Sequence, residues 1–158
     1  MRAFQNILTV AYFFLAIYVF GGGVMKNLVF CESWKLVSAE DLPAVHKSVF
    51  IRLPAYFVSF LSLLVLVNIL LIWFHHPAIS TSLVVITAAF NLFVLVLTSR
   101  LFLPMDKQLD IQLDKAKSAE LIDRMVMYDR YLRTIPSGCI TMVATIMMLY
   151  QVASASSR

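Results

Sequence analysis

The sequence predicts an all-α membrane protein with four transmembrane helices in one bundle, and three observations carry that prediction. Of its 158 residues 61% are hydrophobic and 14% charged, whereas a soluble domain averages about 25% charged. Four apolar runs reach the length of about 20 residues that a helix needs to cross a hydrocarbon core of about 30 Å. The charged residues gather in two of the connections between those runs.

The first run, Phe4–Met25, has a weakly positive start at Arg2 and is followed by Gly21-Gly22-Gly23 and Lys26, with no small-x-small cleavage site. It therefore reads as a retained span and not a cleaved signal. The triple glycine lacks the strand–turn–helix context and the Lys-Ser/Thr pair of a phosphate loop. Its expected use is close helix approach or local unwinding. The second, third and fourth runs are Val49–Phe74, Thr81–Pro104 and Arg133–Ala153. Little chain lies outside them, so residues 1–158 read as a single four-helix domain.

All Lys and Arg residues except Arg2 and Arg158, and all nine acids, lie in or beside loops 26–48 and 105–132. Positive charge near helix ends marks the cytoplasmic side. Both termini and the His75-His76-Pro77 turn then face the other side, in a membrane read as the bacterial inner membrane. The net charge of +4 suits an anionic membrane surface and not nucleic acid.

The third run ends in "TSRLFLPMDKQLD". Arg100, about one turn before the end, has two choices: to snorkel to the interface or to turn inward to a partner. Pro104 cannot donate a backbone hydrogen bond within a continuing helix, so a kink or restart is expected just after it. Beyond it Asp106, Asp110 and Asp114 recur every fourth residue beside Leu109, Leu113 and Ala116, and Leu121, Ile122, Met125 and Val126 keep helical spacing. That pattern predicts an amphipathic cytoplasmic helical segment bending into the fourth span. Each second helix of a pair opens with Arg followed by Pro, at Arg52–Pro54 and Arg133–Pro136. A duplicated hairpin explains this, and so does the separate tendency of both residues to collect at helix starts.

His46 lies on the charged side while His75 and His76 lie across about 30 Å of hydrocarbon. The three cannot share a metal, no compact ligand motif is present, and no histidine pair suits haem. No metal or cofactor is expected. Cys31 and Cys139 read as free thiols in a reducing compartment. Asn68, Thr87 and Asn91 lie within spans, where each needs an interhelical partner or a pocket to line.

The densest constellation combines Trp34, His46, Arg52 and Tyr56 with Arg100, Asp106, Asp123, Arg130 and Arg133. Mutual ion pairing accounts for part of it. The excess of arginine near apolar helix ends also suits an anionic or phenolic ligand, because the guanidinium is a fixed fork of donors. The expected pocket places His46 as a base, Arg52 and Arg100 as an anion clamp, and Trp34, Tyr56 and Asp106 as walls, under a lid formed by the apolar loop that carries Trp34.

Four spans in so short a chain, glycine late in the first, a Trp–His loop, a third span ending "RLFLPMDKQL" and a fourth opening "DRYLRTI" resemble the anthrone oxygenase-like family of small integral membrane proteins. Asp106 stands where an Asn is expected in that family. The resemblance implies cofactor-independent oxygenation of a phenolic polycyclic substrate. Such chemistry needs the substrate deprotonated and its anion kept from water. The expected partners are the lipid bilayer and a hydrophobic aromatic or quinone-like ligand. The alternative is a non-catalytic subunit whose charged segment docks on other membrane proteins or on a second copy. A transporter fits less well, since the spans carry few ionisable groups to line a path.

Overall fold

A computed structural model describes residues 1–50, 53–111 and 114–156, with side chains at all of these except 50, 53–56 and 156. Among the described residues the regular structure is helical and there is no strand. Helix α1 (Arg2–Met25) passes through a π-helical segment, Lys26–Phe30, into α2 (Cys31–Lys35). Then come α3 (Leu42–Phe50), α4 (Leu53–Phe74) and α5 (Thr81–Leu97). A second π-segment, Thr98–Phe102, joins α5 to α6 (Leu103–Leu109), and a third, Asp129–Thr134, joins α7 (Lys115–Tyr128) to α8 (Ile135–Ser156).

Four stretches are long and apolar enough to cross a membrane: Arg2–Lys35, Phe57–Phe74, Thr81–Leu109 and Lys115–Ala155. The first has 34 residues and is about 51 Å long at 1.5 Å per residue. A hydrocarbon core is about 30 Å thick, so α2 continues past it, as do α6 and α7. These extensions form a layer at the charged end.

Within the spans α1 packs on α4, α4 on α5, α5 on α8 and α8 on α1, which closes a ring. Its interior is filled by Leu8, Tyr12, Ala16 and Val19 from α1, with Leu61, Leu64, Val84, Val94, Ala144 and Met148 from the others. Phe14, Ile17, Trp73, Met142, Ile146 and Tyr150 point outward and are exposed. An apolar exterior of this kind is what lipid covers. Thr87 donates to Asn68 Oδ1 at 3.2 Å, the expected interhelical hydrogen bond.

A second core lies in the charged-end layer, built from Cys31, Trp34, Leu42, Met105, Leu109, Ile122, Met125 and Val126. The apolar stretch after the first span does not fold back as a loop: up to Lys35 it continues the first helix, with Cys31 and Trp34 turned into this core and Leu28, Val29 and Leu36 exposed. From Lys115 the chain is one helical run through to Ala155, so α7 leads directly into the fourth apolar helix.

Pro104 does not end the third helix. The Leu103 amide bonds to the Thr98 carbonyl five residues back, and the helix resumes at Leu103 with Pro in its first turn. A widened turn gives the proline ring the room it would lack against a regular preceding turn. The helix stops instead at Leu109, and Asp114 caps the next one by accepting from the amides of Ala116 and Lys117. Of the three aspartates expected on one stripe, Asp106 and Asp110 share His46 as a partner.

The triple glycine does not unwind the first helix. A Cβ on Gly22 would sit 2.7 Å from the Phe57 ring, so glycine here allows α4 to come close. That contact sets the position of Phe57 in the site.

Candidate functional site

All three π-segments lie at the charged end, and each sends a side chain to one cavity: Lys26 from the first, Thr98 and Phe102 from the second, Arg133 from the third. Trp34, Phe57 and Asp106 complete its working walls. Its volume is about 30 Å³, little more than one water needs. Such wide turns recur at functional sites because they re-aim side chains that a regular helix would stack.

Local sequence favours these turns. Thr98 and Ser99 turn their hydroxyls back to the carbonyls of Val94 and Leu95, at 2.8 and 2.9 Å, a habit that bends helices. Asp129 gathers Arg133 Nε and Thr134 Oγ1 on one carboxylate oxygen, from four and five residues ahead. Asn27 ties the first π-segment to the third by donating to the Val126 carbonyl at 3.0 Å, and its own oxygen accepts from Arg130 at 3.4 Å.

Arg133 and Asp106 are the two deeply buried charges of the cavity. The Arg133 side chain is only 4% exposed, and its guanidinium carbon lies 5.0 Å from the centre of the Phe57 ring and 4.7 Å from that of Phe102. Two aromatic faces stabilise the cation without giving it hydrogen-bond acceptors. Nε is held by Asp129 and Nη1 reaches Thr98 at 3.5 Å, but Nη2 has no hydrogen-bond partner among the described residues. Asp129 Oδ2 also has none. A buried donor in this condition costs about 1–3 kcal/mol, more when charged, and so marks where a ligand atom or water belongs.

Nearer the charged end, Lys26 Nζ binds both carboxylate oxygens of Asp106, at 2.7 and 3.0 Å. Behind Asp106 stands His46, fully buried on α3. Its Nε2 is 3.7 Å from Asp106 and its Nδ1 is 2.7 Å from Asp110. The Trp34 ring meets the imidazole edge-on, centres 4.5 Å apart.

The expected site is thus brought together in part. Trp34, His46 and Asp106 form one cluster, but His46 reaches the cavity only through Asp106. Arg100 is exposed and does not line the cavity. The side chains of Arg52 and Tyr56 lie outside the described residues. Asp123 pairs with Lys35 at the surface, at 2.6 Å. Sequence reasoning missed Lys26, Asp129 and Asp110 as site groups. The one signal available was spacing: Asp129 precedes Arg133, and Asp106 precedes Asp110, by four residues, the helical neighbour distance.

Cys31 is buried and Cys139 exposed, both as free thiols. Among the described residues no group of three metal-binding side chains is suited to hold an ion. A larger groove of about 430 Å³ opens between α5 and α8, but its walls are almost wholly apolar and it faces outward. No family model, curated protein or solved structure matches the chain.

Proposed function

We propose that the protein is a four-helix bundle of the inner membrane that binds a flat hydrophobic molecule bearing an anionic or phenolic oxygen at its charged, cytoplasmic half. The observation that carries this reading is Arg133: a cation buried between two aromatic faces at a cavity it shares with Lys26 and Asp106, with one donor unpartnered among the described residues. An oxyanion from the ligand would complete that donor, and the Phe57 and Phe102 rings would flank the ligand's own ring. At about 30 Å³ the cavity admits no aromatic ring, so binding requires Trp34 or Phe57 to swing aside.

The activity in view is cofactor-independent oxygenation of a phenolic substrate. What this chain's residues would contribute is limited and definite. Arg133 and Lys26 hold the phenolate, the aromatic walls keep water from it, and Asp106 stands at the cavity to take the phenolic proton. Of the clamp expected at Arg52 and Arg100, the second position shifts accordingly from Arg100 to Arg133, while Arg52 lies outside the described residues.

A second reading, an accessory subunit, draws on Leu36 and Ile111, apolar residues 89% and 78% exposed at the charged end. Gentle purification from the native membrane separates the two. The ligand reading expects the protein to travel alone and to release an aromatic or quinone-like molecule on extraction. A stoichiometric complex with no such molecule would replace it with the subunit reading.

A further inference from the structure

Four ionisable groups stand in file from the exposed edge of the protein to its cavity, with one 3.7 Å step between His46 and Asp106. Asp110, its side chain 24% exposed, touches His46 at 2.7 Å; His46, 0% exposed, faces Asp106 at 3.7 Å; Asp106, 3% exposed, is bound by Lys26 at 2.7 Å. Asp106 and Lys26 line the cavity, whereas His46 and Asp110 do not. A salt bridge alone needs no imidazole between two carboxylates. An imidazole is the one side chain that takes a proton on one nitrogen while giving up another from its second.

We propose that Asp110, His46 and Asp106 are a proton relay connecting the cavity to water, with Lys26 holding Asp106 at its inner end. The relay rests on the ligand reading above for what it carries, a phenolic proton. The O–H bond of the ligand breaks, its electron pair stays on the ligand oxygen, and the proton goes to a carboxylate oxygen of Asp106. Asp106 passes it to His46 Nε2, while the Nδ1 proton of His46 moves to Asp110 and on to water. The net change is one phenol converted to phenolate and one proton released. The ring is left as its other tautomer, and a proton returning along the same path when the product is protonated resets it.

The charges favour this use. Among the described residues, the charged groups facing the ring are Asp106 of α6 and Asp110 just past its end, with Lys26 behind Asp106. With His46 neutral the four groups carry one net negative charge, and a proton on the ring makes them neutral, so a proton in transit is not repelled. The 3.7 Å step is too long for a hydrogen bond. A small rotation of Asp106 or one bridging water closes it, which makes this step the gate. The Trp34 ring edge fixes the imidazole plane so that the two nitrogens keep facing the two carboxylates.

The test uses the full chain in lipid nanodiscs with a nitrophenol, whose phenolate is coloured, and a pH indicator outside. In the wild type the coloured form and the released proton should rise together. Asp110→Asn should leave nitrophenol affinity unchanged and slow proton release about 100-fold, Asp110→Glu should restore it, and His46→Gln should behave like Asp110→Asn. Release at the wild-type rate in Asp110→Asn and His46→Gln overturns the relay while leaving the ligand reading intact. If the wild type binds no nitrophenol, the ligand reading fails by itself. Nitrogen NMR of labelled histidine then decides the relay without ligand. A His46 ring that titrates, with a midpoint moved by both Asp106→Asn and Asp110→Asn, supports it; a ring that stays neutral and insensitive to both overturns it. His75 and His76, at the opposite end, are the internal references.

Discussion

Replacing Arg133 by Met is expected to lower stability by about 3–5 kcal/mol, the cost of removing one partner from a buried ion pair. The loss comes less from the missing attraction than from what remains. Asp129, its side chain 3% exposed, would keep a full negative charge with only Thr134 near its bound oxygen. Neutralising it in the Asp129→Asn/Arg133→Met double variant should therefore recover most of the stability. Ligand binding should not return, because the forked donor is gone, and Arg133→Lys should fail to bind for the same reason. Arg100→Leu is the control: Arg100 is exposed, so its loss should stay within about 0.5 kcal/mol. Unfolding midpoints in mild detergent, with naphthol binding measured on each variant, check these outcomes. A stable Arg133→Met single variant would show that Asp129 is not a buried carboxylate in need of a partner, and a double variant that binds like wild type would make the pair purely structural.

Replacing Trp34 by Ala is expected to cost about 3–5 kcal/mol, the range for truncating a large buried aromatic residue. Position explains the size. Deep in the hydrocarbon a truncated side chain loses packing but little hydrophobic driving force, since lipid is as apolar as its neighbours. Trp34 is 4% exposed in the charged-end layer, beyond the span, where the alternative to burial is water. It also braces His46, so α2 and α3 should loosen together. Trp34→Phe, which keeps an aromatic ring, should cost less. Limited proteolysis in the connection at 36–41 is the local readout: cutting should speed up in Trp34→Ala and change little in Trp34→Phe. An unchanged cutting rate in Trp34→Ala would mean that packing on Trp34 does not hold the layer closed.

By itself the sequence determined the four apolar helices and the gathering of charge at one end. Both follow from terms that add up locally along the chain: the transfer of about 20 residues into hydrocarbon and the exclusion of charge from it. Trp34, His46 and Asp106 were legible as one cluster for the same reason, being polar or amphipathic groups at one depth. Depth, however, says nothing about which way a helix is turned. Arg100 and Arg133 both stand near apolar helix ends, yet Arg100 faces outward and Arg133 lies between Phe57 and Phe102. Tertiary packing made that choice, through contacts such as Gly22 against Phe57 and partners such as Lys26 and Asp106, 80 positions apart. The π-segments Thr98–Phe102 and Asp129–Thr134 explain why periodicity could not anticipate it. Each extra residue in a turn rotates everything after it by about 100° relative to a regular helix. A stripe extrapolated through such a turn points to the wrong face, and only the packed structure shows where the turn falls.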